Sequence, residues 1–236
     1  MNIDLNNNLS YLTQALQQAI TRSRHGQQKV QLVAASKKID PSQLLEAWAA
    51  GVKIFGENRV QELRAKAPLL PRAVEWHFIG GLQTNKVRDV VQLATLIHSV
   101  DRLELAQEID RRAAQIGKHQ KVLMEVNVAG EASKHGVHLQ DAEPLLRQIN
   151  ERPHLEIIGL MTVAPFYEEL EKVRPFFATL RTLRDDLQQN TGIQLPELSM
   201  GMSHDFTIAV EEGATMVRIG TALFGPRTTN KTKSDK

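Results

Sequence analysis

The chain has 236 residues, of which 42% are hydrophobic, and its formal net charge is only +2. This length supports one sizeable core and suits a single α/β barrel, while the near balance of charges gives no case for a nucleic-acid or membrane-binding protein. Because the sequence contains no cysteine, disulfides, thiolate metal sites and a cysteine nucleophile are excluded.

The first residues carry no targeting signal. Residues 1–6 have neither the basic nor the apolar region of a signal peptide, and no apolar run approaches the length that spans a bilayer. We therefore expect a cytoplasmic protein. From Asp4 to Arg24, leucine and alanine recur at helical spacing, which predicts an amphipathic helix ended by His25 and Gly26.

The segment from Gln31 to Lys37 is predicted to be a buried strand with a lysine at its carboxyl end. Its short apolar run is typical of a parallel strand that is covered on both faces. An ammonium group is costly to bury, so Lys37 should lie at the rim of the sheet or have a partner, and it is a candidate for chemistry. Asp40 and Pro41 then start a helix.

Strand and helix patterns alternate along the rest of the chain. The further predicted strands are 52–56, 75–79, 96–100, 121–128, 156–161, 197–200 and 216–219. Each is followed by a helical or helix-starting segment, including long helices at 102–116 and 167–189. Eight such units favour a (β/α)8 TIM barrel with an extra N-terminal helix. A doubly wound open sheet is the alternative, but Ser36-Lys37-Lys38 stands where its phosphate loop would be.

No linker interrupts this alternation before Arg227. We therefore expect residues 1–227 to form a single barrel domain. The polar segment 228–236 is expected to be a disordered tail.

Two segments near the end of the chain have the composition of anion sites. In the first, Gly201 permits a close backbone approach and Ser203 offers a hydroxyl before a helix start, although Ser203 or Asp205 could equally be a helix N-cap. In the second, Gly220 precedes Thr221 and another helix start, although a tight turn would have the same pattern. Both follow the last two strands, where TIM barrels most often hold phosphate.

Arg218 precedes Gly220 by two residues and should point to the same side, which is the barrel interior. A buried arginine needs an acceptor, and either Glu125 or the ring nitrogen or carboxylate of a ligand would serve. Asn58 and His77, near other strand ends, are weaker candidates because such residues are more often satisfied structural groups.

A strand-end lysine that faces a phosphate cradle suggests an aldehyde held as a Schiff base. Pyridoxal 5'-phosphate (PLP) carries an aldehyde and a phosphate. It also has a ring nitrogen that Arg218 could meet.

Seven short motifs together resemble the pyridoxal phosphate homeostasis protein family, the YggS/PROSC-like proteins. The motifs are Val33–Lys37, Phe55–Asn58, Trp76–Gly80, Leu82–Lys86, Gly159–Met161, Leu198–Ser203 and Val217–Ala222. The resemblance extends from Gln31 to Arg227. It implies a fold-type III barrel like the N-terminal domain of alanine racemase.

The same resemblance implies roles for single residues. Lys37 would form the internal aldimine with PLP, and Ser203, Gly220 and Thr221 would hold its phosphate. Arg218 would face the pyridine nitrogen. Asn58 matches a family residue near the cofactor.

One departure from the family pattern lies next to the reactive lysine. The family usually has Val-Ser-Lys-Thr, whereas this chain has Ala35-Ser36-Lys37-Lys38. We expect strand alternation to place Lys38 on the face opposite Lys37.

The resemblance implies a protein that buffers or delivers PLP inside the cell, with a PLP-dependent racemase or related enzyme as the alternative. A racemase of this fold needs a second acid/base, which a C-terminal β domain and a partner subunit help to supply, and only a short segment follows Gly225. Arg218 stays protonated, so it would keep the ring nitrogen unprotonated and weaken the cofactor as an electron sink. We therefore expect a non-catalytic monomer whose partners are PLP and PLP-dependent apo-enzymes.

Overall fold

Eight parallel strands close into a barrel in a computed structural model that describes residues 4–26, 29–131 and 134–226. Strand β1 pairs with both β2 and β8, so the TIM barrel is confirmed and the open sheet is wrong. The strands are Gln31–Ala35 (β1), Ile54–Glu57 (β2), Glu75–Phe78 (β3), Leu96–Val100 (β4), Gln120–Glu125 (β5), Leu155–Met161 (β6), Glu197–Met202 (β7) and Met216–Ile219 (β8). The predicted tail and Arg227 lie outside the described residues.

Helices cover the outside of the barrel and include the predicted extra helix at the N-terminal end. The α-helices of the described ranges are Leu5–Arg22 (α1), Pro41–Ala49 (α2), Val60–Lys66 (α3), Val87–Leu93 (α4), Leu103–Gln115 (α5), Ala142–Asn150 (α6), Arg174–Thr191 (α7), Phe206–Glu211 (α8) and Thr221–Phe224 (α9). None of the helices in these ranges is long and apolar enough to cross a membrane.

Local capping explains where the first two helices begin. Asp4 accepts a hydrogen bond from the Asn7 amide at 3.0 Å, and Asp40 accepts one from the Ser42 amide at 2.9 Å. Pro41 occupies the first turn of α2, where its missing N–H would have no helical partner. These contacts confirm the helix starts expected from the sequence.

Several predicted boundaries were wrong, and three of them matter most for the site and for the helices around it. Strand β1 ends at Ala35, so Lys37 lies in the following turn. Strand β5 ends at Glu125, because the Asn127 amide donates to the Val137 carbonyl at 2.9 Å and turns the chain into a loop. The long helix after β6 is a 3₁₀ turn at Leu170–Val173 followed by α7.

The barrel interior is apolar at its centre and polar toward the carboxyl ends of the strands. The inward-facing apolar cluster consists of Val33, Ile54, Leu96, Leu123, Met161 and Met216. The buried polar residues of the strands' carboxyl halves include His77, His98, Glu125, Ser199 and Arg218. The carboxyl-end mouth is therefore the polar end of this barrel, as expected for the site of chemistry in such folds.

Candidate functional site

Lys37 lies in the turn that follows β1, and its side chain is partly buried. Its ammonium group has neither a hydrogen bond nor an ion pair with any residue that the structure describes. The adjacent Lys38 is exposed, has a left-handed backbone with φ of 61°, and donates its amide to Glu62 Oε2 at 2.7 Å. The turn, rather than strand alternation, therefore separates the two lysines, and the expectation based on alternation was wrong.

The turn is held by a buried group that we call the Lys66 clamp, formed by Ser36, Glu57, Glu62 and Lys66. Lys66 is only 6% exposed, and its ammonium donates to the Ser36 carbonyl at 2.8 Å, to Glu57 at 2.6 Å and to Glu62 at 2.8 Å. The Ser36 hydroxyl also contacts Glu57 at 2.7 Å. All three protons of this buried ammonium have acceptors, which is the condition for hiding such a charge.

The clamp was missed by sequence reasoning, which treated Lys66 as an ordinary residue at the end of a helix. The available signals were the i,i+4 spacing of Glu62 and Lys66 and an acidic residue, Glu57, directly after a buried run. In three dimensions these charges meet beneath the turn that carries Lys37. The clamp consequently fixes the position of the backbone next to Lys37.

Arg218 points into the barrel, as its spacing from Gly220 predicted, and is 5% exposed. Its guanidinium donates to Ser199 Oγ at 2.6 Å and to the Thr162 carbonyl at 2.8 Å. Glu125, the protein acceptor considered from the sequence, forms no hydrogen bond with Arg218 in the described part of the chain and acts on it only through its charge. Burial lowers the pKa of Arg218 to about 10, which still leaves the group charged at neutral pH.

The hydrogen bonds continue from Arg218 through a buried chain that we call the histidine relay, formed by Arg218, Ser199, His98 and His77. Ser199 Oγ lies 2.9 Å from His98 Nδ1, and His98 Nε2 lies 3.0 Å from His77 Nδ1. A guanidinium can only donate, so the Ser199 oxygen accepts from Arg218 and its hydrogen is available to His98. When Ser199 donates this hydrogen to His98 Nδ1, His98 Nε2–H donates to His77 Nδ1, and the other His98 tautomer reverses both bonds.

Both histidines of the relay are neutral. Burial lowers the pKa of His77 to about 4. Burial, followed by the neighbouring His77 and Arg218, holds the pKa of His98 well below its usual value. The sequence indicated His77 only weakly and did not indicate His98, because the relay joins residues from four different strands.

Ser203, Gly220 and Thr221 meet where β7 and β8 end. The Ser203 hydroxyl oxygen accepts from the Gly220 amide at 3.1 Å and from the Ala222 amide at 3.2 Å. It therefore occupies a position that an anionic oxygen could share. Thr221 is exposed at the first position of α9.

Asp205 occupies the N-cap position of α8, as the alternative interpretation allowed, but its side chain makes no capping hydrogen bond, and Ser203 lies outside that position. Asp205 instead accepts from the Met202 amide at 2.6 Å and closes the turn that presents Ser203. Gly201, with φ of 90°, is required here because a Cβ would lie 2.5 Å from the Ala209 Cβ.

Asn58 follows β2 and is partly buried at the same end of the barrel. A Cβ on Gly80 would lie 2.4 Å from the Asn58 carbonyl oxygen, so the chain after β3 packs directly against Asn58. A cleft of about 330 Å³ extends outward from Asn58, with Lys86, Arg102 and His135 in its lining. The described residues contain no cluster of three or more side chains that could hold a metal ion.

Comparisons with known proteins agree with this architecture. Residues 8–228 match the family model of the alanine racemase N-terminal domain. The pyridoxal phosphate homeostasis protein of Aquifex aeolicus is 48% identical over 220 residues, which cover 93% of this chain and 96% of that protein. PipY of Synechococcus elongatus, solved both with and without PLP, is 38% identical. Its structure without PLP has a TM-score of 0.85 and is matched over 94% of this chain and 100% of that chain.

A more distant likeness concerns the fold alone. Alanine racemase from Corynebacterium glutamicum has a TM-score of 0.72 at 18% identity. The match covers 95% of this chain and 62% of the racemase chain.

Removing the cation of the Lys66 clamp should strongly destabilise the protein. In Lys66→Met the carboxylate of Glu57 stays buried without its cation, and the free energy of unfolding should fall by about 3–5 kcal/mol in urea denaturation. Lys172→Met is the control, because Lys172 forms an exposed ion pair with Glu169 and should matter little. Equal effects of the two substitutions would contradict the structural importance of the clamp.

The neutral state of the relay predicts a pH-dependent stability. The unfolded chain binds a proton at His77 near pH 6.5, whereas the native state excludes it until about pH 4. The free energy of unfolding should therefore fall as the pH is lowered through this range. In His77→Asn, whose amide oxygen can accept from His98, this decrease in the free energy of unfolding should be smaller by roughly 3 kcal/mol. Denaturation experiments at a series of pH values measure the difference. The exposed His138→Asn is the control, and an unchanged slope in His77→Asn would contradict the assignment.

Proposed function

The chain belongs to the pyridoxal phosphate homeostasis protein family, and from this premise we propose that it binds PLP and buffers or delivers the cofactor inside the cell. The observation that carries the proposal is the meeting of three groups at one barrel mouth. They are a lysine without a competing partner, a cradle of amide and hydroxyl groups, and a buried guanidinium. The solved structure of PipY with PLP, at 38% identity, supports the choice of ligand.

Lys37 is the residue that we propose attaches PLP covalently. Bound PLP supplies an aldehyde, with which the neutral amine of Lys37 forms a C=N bond as a Schiff base, and the aldehyde oxygen leaves as water. Of the lysines around the turn, Lys66 is saturated by three acceptors and Lys38 is exposed. Lys37 is partly buried and has no described partner to displace, so attachment there does not break an existing contact.

Ser203, Gly220 and Thr221 are proposed to hold the phosphate. The amides of Gly220 and Ala222 already converge on one oxygen, that of Ser203, and they belong to the beginning of α9. Amides at a helix start favour anions because they lack helical acceptors. The Thr221 hydroxyl lies beside them and can add a donor, while Asn58 approaches the mouth from β2.

Arg218 is proposed to face the ring nitrogen of PLP. Its bonds to Ser199 and Thr162 occupy one N–H on each terminal nitrogen, and the guanidinium has five N–H donors. A donor that stays charged leaves a facing ring nitrogen unprotonated, which weakens the cofactor as an electron sink. An arginine here does not by itself separate a carrier from a racemase, and the names of the homeostasis relatives support the carrier.

We propose the single barrel of residues 1–227 as the unit that binds PLP. The recipients of the cofactor would be PLP-dependent apo-enzymes, that is, enzymes that have no PLP bound. Transfer requires only that the Schiff base be hydrolysed or exchanged with a lysine of the recipient, so no further reactant than water or that amine is needed.

The attachment site is tested by trapping. Purified protein mixed with PLP should turn yellow, and borohydride reduction should leave a stable adduct that peptide mass spectrometry locates on Lys37. Lys37→Ala should abolish the adduct, because we propose that Lys37 alone carries the aldehyde, while Lys66 in the same turn region is saturated by three acceptors and Lys38 is exposed. Lys38→Ala, the matched control in the same turn, should keep it. An adduct on Lys38, or one that persists in Lys37→Ala, would overturn the assignment.

The carrier role is tested against the racemase alternative. Steady-state turnover of a panel of D- and L-amino acids by the PLP-loaded protein should not exceed that of free PLP at the same concentration. Robust racemisation, lost in Lys37→Ala, would overturn the carrier proposal while leaving PLP binding intact.

A further inference from the structure

Glu125 is a buried carboxyl group that the proposed function leaves without a role. It is the last residue of β5 and only 7% exposed. Neither of its carboxylate oxygens has a hydrogen bond or an ion pair with a described residue. These oxygens are not among the fully buried side-chain atoms that lack a partner, so they remain reachable, and a ligand could bind them.

Strand alternation aims Glu125 into the barrel. Leu123, two residues earlier on β5, belongs to the inward-facing apolar cluster, so Glu125 shares its face but lies nearer the carboxyl-end mouth. In the closed order of eight strands, β5 lies opposite β1. Glu125 therefore faces the mouth from the side opposite the turn that carries Lys37.

Three charged or titratable groups act on Glu125 from the surrounding elements. They are Asp101 after β4, His135 in the loop after β5, and Arg218 on β8. Burial, followed by the negative charge of Asp101, raises the pKa of Glu125 to about 7, and the two basic groups oppose this only partly. Both protonation states are thus available near neutral pH, while the histidines of the relay stay neutral.

The chemistry of PLP supplies a complementary group. On its ring the phenolic oxygen and the phosphate arm flank the aldehyde on opposite sides. With the phosphate at the ends of β7 and β8, the phenolic oxygen belongs to the other half of the mouth, which β5 borders. A protonated carboxyl donates a hydrogen bond to a phenolate, whereas an ionised carboxyl repels it.

Resting on the proposed function, we propose that Glu125 binds the phenolic oxygen of PLP in its protonated form and so makes retention of the cofactor depend on pH. Protonated Glu125 favours retention. Loss of the proton as the pH rises places two negative oxygens together and favours release. Binding of PLP is accordingly linked to uptake of a proton at this carboxyl.

The experiment compares the dissociation constant of PLP in wild type and Glu125→Gln between about pH 6 and about pH 8. The Gln amide is close in shape to the protonated carboxyl and can donate a hydrogen bond at every pH. The affinity of Glu125→Gln for PLP should therefore not change through titration at this position. As the pH rises across this range, the wild-type dissociation constant divided by that of the variant should increase by about tenfold. A factor of ten corresponds to PLP binding that shifts the pKa of Glu125 by about one unit. Because both proteins share Lys37 and the phosphate cradle, their other pH effects cancel in the ratio.

Glu156→Gln, on the exposed part of β6, is the matched control and should behave as wild type. Infrared difference spectra provide a readout independent of affinity: a protonated carboxyl band should strengthen on PLP binding in wild type and be absent in Glu125→Gln. A ratio that does not change with pH, or a band that persists in Glu125→Gln, overturns the role of Glu125 but leaves PLP binding standing. No PLP binding by wild type would overturn both proposals.

Discussion

The charged guanidinium of Arg218, enclosed in the barrel, influences the hydrogen bonds and the protonation states of the polar residues around it. Arg218 can only donate, so the Ser199 oxygen must accept from it, and the hydrogen bonds then continue from Ser199 through His98 to His77. The same charge helps to keep His98 neutral and opposes the burial that favours protonation of Glu125. One residue of β8 thereby influences the protonation states on β4 and β5.

A second buried charge, Lys66, acts at the neighbouring strands β1 and β2, and its effect is on the position of the backbone. Lys66 gives all three of its protons to the backbone of Ser36 and to two carboxylates, so the turn after β1 is anchored from below. Lys37 extends from that anchored backbone without a described partner. Of these two lysines, Lys66 therefore serves the fold, whereas Lys37 is available to a ligand.

Much of the fold was predictable because it depends on short-range patterns. Alternating apolar runs and the helix start at Asp40 and Pro41 are local signals, and they correctly indicated eight β/α units. Boundaries were less predictable, since the end of β5 depends on a bond from Asn127 to Val137, ten residues away. The positions of Lys37, Arg218 and Ser203 near strand ends were also evident, because in a closed parallel barrel all strand ends of one kind meet.

The sequence by itself determined the barrel, the inward direction of Arg218 and the set of residues that converge on one mouth, because periodicity and strand direction are properties of local segments. Only the tertiary structure decided how those residues are paired. It joined Lys66 to Glu57, linked four strands through the histidine relay, and left Glu125 without a described partner. Burial and pairing depend on groups that are distant in the chain, so these contacts, and the pKa values that follow from them, exist only once the barrel has closed.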